Sequence, residues 1–308
     1  MNYEELSKFI KENYAIDFDA VKMLRDGSDN VVLILQGKDK KYVVRVSKRN
    51  VEDDIEFETE WLKFLKDKKI PVVPPVESKA GKGYSVGRAG LVVVVFPFVD
   101  GRQVELGEHL SLAAVEKAAM MLAAIHNVSR GNSVSRNRAK TVFSELERAV
   151  SSKADIERKM PSGGEFMKEV DTYLQWGKNY RYEPVLVHND YRAGNVLFND
   201  ELEIVAVLDF DRSLMGPAIK DVAHSLAEWS YPDGANDHRE AVFAAFFEGY
   251  NKAADRKIAL SDDLYRWIAF GCLSDASTYL MDNLERGEVK DPAKSYMYQK
   301  FKYFSDKE

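Results

Sequence analysis

Residues 3–14 set Leu6, Phe9, Ile10 and Tyr14 at helical spacing, which predicts an amphipathic helix. Three extended segments follow. Val31–Leu35 is a β-branched apolar run. Lys41–Val46 is another, split from it by Gly37-Lys-Asp-Lys-Lys, a hairpin signal. Residues 52–66 return to helical spacing with Phe57, Trp61, Leu62 and Leu65 on one side, and Ile70–Pro75 breaks that helix. Glu77–Phe98 predicts two strands around a Gly-rich turn at 81–90.

Beyond Asp100-Gly101 the pattern is mostly helical. Helices are predicted over 111–128, 141–160, 164–178, 219–230, 238–254, 261–284 and 291–305. Residues 130–140 are polar and predict a loop. Short strands are predicted at Leu186–Val187, Val196–Phe198 and Ile204–Leu208. No internal repeat is present. The reading is α+β: a β-rich lobe over 1–98 and a mainly helical lobe over 99–308, joined near Val99–Gly101. Two lobes with one linker predict a ligand cleft.

Charge narrows the partners. The 308 residues carry 44 Lys+Arg against 50 Asp+Glu, a net charge of −6. That balance argues against a broad nucleic-acid-binding surface, though not against a local phosphate pocket. Cys272 is the only cysteine, which excludes an internal disulfide or a cysteine zinc site. The first residues lack a signal-length apolar segment, and the longest strongly apolar run, Leu91–Val99, is too short to span a membrane. A cytoplasmic protein with no membrane partner is expected. Nothing in the pattern specifies an oligomeric state.

The candidate chemistry is concentrated in Leu186-Val-His-Asn-Asp190-Tyr-Arg-Ala-Gly-Asn195-Val-Leu-Phe. It is a polar loop between two apolar anchors, with His188 two residues before Asp190 and Asn195 five after it. Fourteen residues beyond Asn195, the apolar Ile204–Leu208 ends in Asp209-Phe-Asp211. Phosphoryl transfer explains the combination. A hydroxyl nucleophile needs a carboxylate that orients it, and a triphosphate needs Mg²⁺ held by a few hard oxygens. Asp190 suits the first task, and Asn195 and Asp209 the second.

The pattern H-x-D-x₄-N followed by D-F-x resembles the catalytic and metal loops of the protein-kinase-like superfamily. "LVHNDYRAGNVLF", "VLDFDRSLMGPAIKDVAHSL" and "LAAIHN" are similar to its small-molecule branch, the aminoglycoside phosphotransferase and homoserine/choline kinase family. The resemblance runs over nearly the whole chain. It implies a bilobal protein-kinase-like fold, with a nucleotide-binding first lobe and a catalytic, substrate-binding second lobe. It also implies transfer from ATP or GTP, with Mg²⁺, to a small-molecule hydroxyl. Homoserine or another small amino alcohol is the nearest acceptor class, and an aminoglycoside is the alternative.

Residue by residue, the resemblance implies Asp190 as catalytic base, Asn195 and Asp209 as Mg²⁺ ligands, and His188 and Asp221 as supports of the loop. "LRDGSDNVVLIL" resembles the phosphate-covering hairpin, where Gly27 permits the turn and Ser28, Asp29 and Asn30 cap it. "YVVRVS" resembles the strand with the phosphate-gripping cation, here Arg45 rather than Lys, with Lys48 nearby. Glu56, Glu58 and Glu60 compete to pair with that cation, and Glu58 fits the apolar spacing of Trp61, Leu62 and Leu65. "VFPFVDGRQ" resembles the hinge, where backbone groups of Phe96, Phe98 and Val99 would meet the base.

Other candidates stay ordinary. Asp211 reads as a second metal ligand or a cap. Arg192 reads as a phosphate contact or a partner for an acid. His126 and His224 read as core or capping residues. Asp233, Asp237, Asp275 and Asp282 read as surface acids rather than an acidic substrate wall. Trp229, Trp267 and Tyr279 read as core. A protein kinase is disfavoured, because about ten residues separate Asp209 from the helix near Lys220 and no A-P-E follows. A non-catalytic nucleotide-binding protein is disfavoured by the presence of Asp190, Asn195 and Asp209 together.

Overall fold

The computed structural model describes residues 3–26, 30–47, 52–87, 90–104, 111–135, 138–231 and 238–307. Gly27, Ser28, Asp29, Lys48, Asp233 and Asp237 lie outside the described residues. The chain forms two compact units. One comprises Met1–Arg102, Ser133–Ala139 and Leu197–Asp211; the other comprises Gln103–Asn132, Lys140–Val196 and Arg212–Glu308.

The first unit holds α1 (Tyr3–Asn13), β1 (Ala20–Asp26), β2 (Asn30–Gln36), β3 (Lys41–Ser47), α2 (Glu52–Asp67), β4 (Ser85–Val86) and β5 (Val92–Pro97). The strands make an antiparallel sheet of order β1-β2-β3-β5-β4. Side chains alternate between its faces. Val31, Leu33, Leu35, Val44, Val46, Val93 and Val95 pack with Ile10 and Tyr14 of α1. Val92 and Val94 pack on the other face with Ile55 of α2 and Tyr84. Both faces are therefore covered, which explains why Val92–Val95 is a continuous apolar run. Arg45 lies between Val44 and Val46 and pairs with Val94, so the same alternation turns it toward α2.

The predicted strand beginning at Glu77 is absent. Ser78 makes a single bridge to Tyr14, the chain turns over Lys79–Gly83, and only Ser85 and Val86 pair with β5. The Lys-Ala-Gly-Lys-Gly stretch supplies turn residues and little apolar surface. The segment Leu197–Asp211 also belongs to this unit. Its strand β9 (Ile204–Val207) lies in a three-stranded sheet of order β6-β8-β9, where β6 is Arg102–Gln103 and β8 is Val196–Phe198. Val207 also forms a parallel bridge to Val72, and its N–H donates to Pro71 O at 2.7 Å.

The second unit is built from α3 (Leu112–Ser129), α4 (Ser144–Ser151), α5 (Lys153–Lys159), α6 (Gly163–Asn179), α7 (Ala218–Ser230), α8 (Glu240–Ala253), α9 (Asp262–Glu285) and α10 (Tyr296–Ser305). Residues 141–160 thus form two short helices rather than one, meeting at Ser152. Strand β7 (Pro184–Val187) pairs with β10 (Leu214–Pro217), a strand the hydrophobic pattern does not announce. Val142, Val185, Val187 and Leu214 bury one another there. Helices α3 and α8 meet closely at Gly249, where an added Cβ would lie 2.7 Å from the backbone oxygen of Glu116. Among the described residues no helix is long and apolar enough to cross a membrane.

Candidate active site

In the second unit, β7 ends at Val187 and leads directly into His188-Asn189-Asp190. Asn189 has φ 64°, in the left-handed region that most side chains avoid and asparagine tolerates. The loop is held there by Asp221, in the first turn of α7. Its Oδ2 accepts the N–H of His188 at 2.7 Å, and its Oδ1 accepts that of Asn189 at 2.8 Å. Asp221 is itself fully buried. Burial pushes its carboxyl upward, but the hydrogen bond and charge of His126, with His188 and Lys220 nearby, bring it down to about 2. Nε2 of His126 lies 3.0 Å from Asp221 Oδ2, and Nδ1 lies 2.9 Å from the Tyr250 hydroxyl. His126 is thus part of the support, a role that its place in a helical stretch alone does not reveal.

The rest of the loop is equally fixed. Nδ2 of Asn195 donates to the Asp190 carbonyl at 2.8 Å and to its Oδ2 at 3.2 Å. Nε of Arg192 lies 3.4 Å from Asp190 Oδ1, so the paired-acid reading of Arg192 is the one the geometry shows. Tyr191 is buried and donates to Ala118 O at 2.8 Å, while Nε1 of Trp229 donates to Tyr191 O at 2.9 Å. Trp229 and Trp267 are core residues, whereas Tyr279 is exposed rather than core.

Behind the loop lies a group of charges. The Lys220 ammonium, buried on α7, hydrogen-bonds Oδ1 of Asn189. Burial pulls it below the ordinary lysine range, opposed by Asp221, Asp275 and Asp190. His224 Nε2 lies 2.9 Å from Asp275 Oδ2, and Lys300 Nζ lies 2.6 Å from Glu228 Oε1. His224, Glu228 and Asp275 lie close enough together for a cation. Lys300, Lys220 and Arg212 already counter those acids, so the group reads as an internal ion network. Asp282 pairs with Arg148 at 2.8 Å, so neither Asp275 nor Asp282 is an uncompensated acid.

In the first unit, Arg45 and Glu58 form a two-pronged buried pair. Nη1 donates to Oε1 at 3.0 Å, and Nη2 to Oε2. The guanidinium also faces the Phe96 ring, 5.3 Å from its centroid. Burial disfavours its charge, but Glu58, Asp211 and Asp209 more than offset this and raise its pKa. The competing acids are engaged elsewhere: Glu56 by Lys82 and the Tyr84 hydroxyl, and Glu60 by Ser135. Asp209, exposed, has φ 65°. Asp211 Oδ2 accepts from Nδ2 of Asn30 at 3.0 Å. Phe98 donates its N–H to Lys41 O at 3.1 Å, and Phe98 and Val99 are half-buried.

Each donor by its own chemistry suits a hard cation such as Mg²⁺: in the second unit Asn195 directs Nδ2 to Asp190, which leaves its Oδ1 as the terminus it can offer, and in the first unit Asp209 carries an exposed carboxylate.

A search of curated proteins finds no match. Among solved structures, an amicoumacin kinase in complex with AMP-PNP, Ca²⁺ and Ami aligns with TM-score 0.80 and 18% identity, covering 100% of this chain and 94% of that one. A spectinomycin phosphotransferase in complex with ADP and spectinomycin aligns with TM-score 0.65 and 17% identity, covering 98% and 93%. A thermostable mutant of an aminoglycoside phosphotransferase, in ternary complex with AMP-PNP and hygromycin B, aligns with TM-score 0.69 and 14% identity, covering 98% of each chain. These likenesses show the fold, which is the kinase-like one. The model of the phosphotransferase enzyme family matches residues 20–259. The chain belongs to the phosphotransferase enzyme family.

Proposed function

We propose that this phosphotransferase moves the γ-phosphoryl group of ATP or GTP onto a hydroxyl of a small molecule, with Asp190 as the group that receives the hydroxyl proton. The observation that carries the reading is the loop His188–Asn195. Asp190 is half-buried there, hydrogen-bonded by Asn195, and fixed through two backbone N–H groups gripped by Asp221. A carboxylate held this rigidly can orient a hydroxyl without reorganising during the reaction.

Asn195 and Asp209 are the residues that would hold Mg²⁺, which when bound would neutralise phosphate charge. Arg45 would grip the phosphates, held in one rotamer by Glu58. Gly27, Ser28 and Asn30 would cover the phosphates, and Phe96, Phe98 and Val99 would face the base. His188 and Asp221 support the loop and do not exchange protons with substrate.

A small amino alcohol such as homoserine is the acceptor class favoured by the resemblance of the Leu208–Trp229 segment to metabolic members of the family. The test is a coupled nucleotide-consumption assay with Mg²⁺-ATP and Mg²⁺-GTP over amino alcohols, sugars, aminoglycosides, spectinomycin and amicoumacin. Stimulation by one hydroxyl compound supports the reading and names the acceptor. Bound nucleotide with no stimulation across the panel would favour the non-catalytic alternative.

A further inference from the structure

Asn189 stands immediately before Asp190 in the left-handed region, which asparagine tolerates, and its backbone N–H is already held by Asp221. Its side chain is held separately. Lys220, the residue directly before Asp221 on α7, is 4% exposed and places its ammonium on Oδ1 of Asn189. Two consecutive helix residues thus grip one loop residue, one by its backbone and one by its side chain. Lys220 is flanked by the charges of Asp221, Asp275, Arg212 and Asp190. Burying a lysine ammonium costs several kcal/mol unless acceptors compensate it, so a lysine here is not a neutral space-filler.

We propose that Lys220 is a positioning residue for phosphoryl transfer, acting through Asn189 to hold the backbone that aims Asp190. The inference rests on Asp190 being the catalytic carboxylate. Lys220 touches neither nucleotide nor acceptor in this account, and its effect passes through Oδ1 of Asn189. Without that bond, Asn189 keeps its backbone grip but loses the constraint on its side chain, and the carboxylate next to it samples more directions. Small misplacement of a catalytic group has a large effect on rate.

The experiment is a double-mutant cycle with K220M and N189G in the full chain. Glycine tolerates the left-handed backbone and removes only the side-chain partner, so N189G keeps the test alive if K220M does not fold. K220M and N189G should each lower kcat roughly tenfold with the nucleotide KM unchanged, the double variant should equal either single one, and K220R should restore part of the rate. Amide hydrogen exchange over residues 188–192, which needs no turnover, should quicken in both variants while α9 stays protected. Unchanged exchange and kcat in N189G, or additive losses in the double variant, would overturn the proposal. Asp190→Ala in the same assays separates the two claims. Full turnover in that variant would sink the assignment of Asp190, and the exchange data would still report on the Lys220 grip.

Discussion

Oδ2 of Asp221 accepts the backbone N–H of His188 at 2.7 Å, a bond from the first turn of a helix to the loop that carries Asp190. Oδ1 accepts the next N–H at 2.8 Å, and Nε2 of His126 lies 3.0 Å from Oδ2. Removing Asp221 takes the carboxylate from one buried N–H, one half-buried N–H and one nitrogen of a buried imidazole. Asp221→Ala should therefore cost about 3 kcal/mol or more, read as a lowered denaturation midpoint.

The same residue sets an acid limb of stability. Its folded value, about 2, lies below the ordinary 3.8, so its contribution is present above pH 4 and disappears as the pH falls from 4 to 2. The shift corresponds to roughly 2 kcal/mol. The difference in melting temperature between wild type and Asp221→Asn should be constant above pH 5 and shrink below 4.

The Arg45–Glu58 pair makes a different prediction. Glu58→Ala leaves a buried guanidinium without its carboxylate and should cost about 3 kcal/mol. Arg45→Met with Glu58→Leu should recover most of that stability. If Arg45 grips phosphate, the recovered double variant should still bind nucleotide at least tenfold more weakly, which a titration of each folded variant measures.

The His224–Asp275 pair predicts a stability window. The imidazole, despite burial, is raised above its usual value by Asp275, so its contribution is complete below about pH 6.5 and is lost as pH rises through the elevated value. The Asp275 carboxyl is depressed by His224, Lys220 and Arg212 despite burial, so its contribution is present above about pH 4. Asp275→Asn should therefore lower the melting temperature most between pH 4 and 6.5, and less at pH 9.

Cys272 should be inert. Burial pushes its thiol up to about 12, so little thiolate exists at neutral pH. Iodoacetamide should leave the folded protein unlabelled and modify it fully in denaturant, which mass spectrometry reads directly.

Much of this was legible in the chain because periodicity and punctuation coincided. The helices over 52–67, 112–129 and 262–285 and the loop 188–195 all have apolar anchors at the spacing their geometry requires. The Arg45–Glu58 contact was implied by the family resemblance, and the apolar spacing of Trp61, Leu62 and Leu65 singled out Glu58 from Glu56 and Glu60. What escaped depends on long-range pairing. Strand β10 carries Met-Gly-Pro and becomes a strand only because β7 offers it a partner. The parts of His126 and Lys220 depend on a helix packing against a loop distant in sequence. No local signal distinguishes them from a core imidazole or a surface amine.

The central claim is that Asp190 directs transfer. The most direct measurement follows the γ-phosphoryl label from Mg²⁺-nucleotide to a stimulating acceptor in wild type and Asp190→Ala, with nucleotide affinity titrated in both. Turnover should fall at least a hundredfold in Asp190→Ala, with nucleotide affinity unchanged within about threefold. Equal label transfer by the Asp190→Ala protein would contradict the claim.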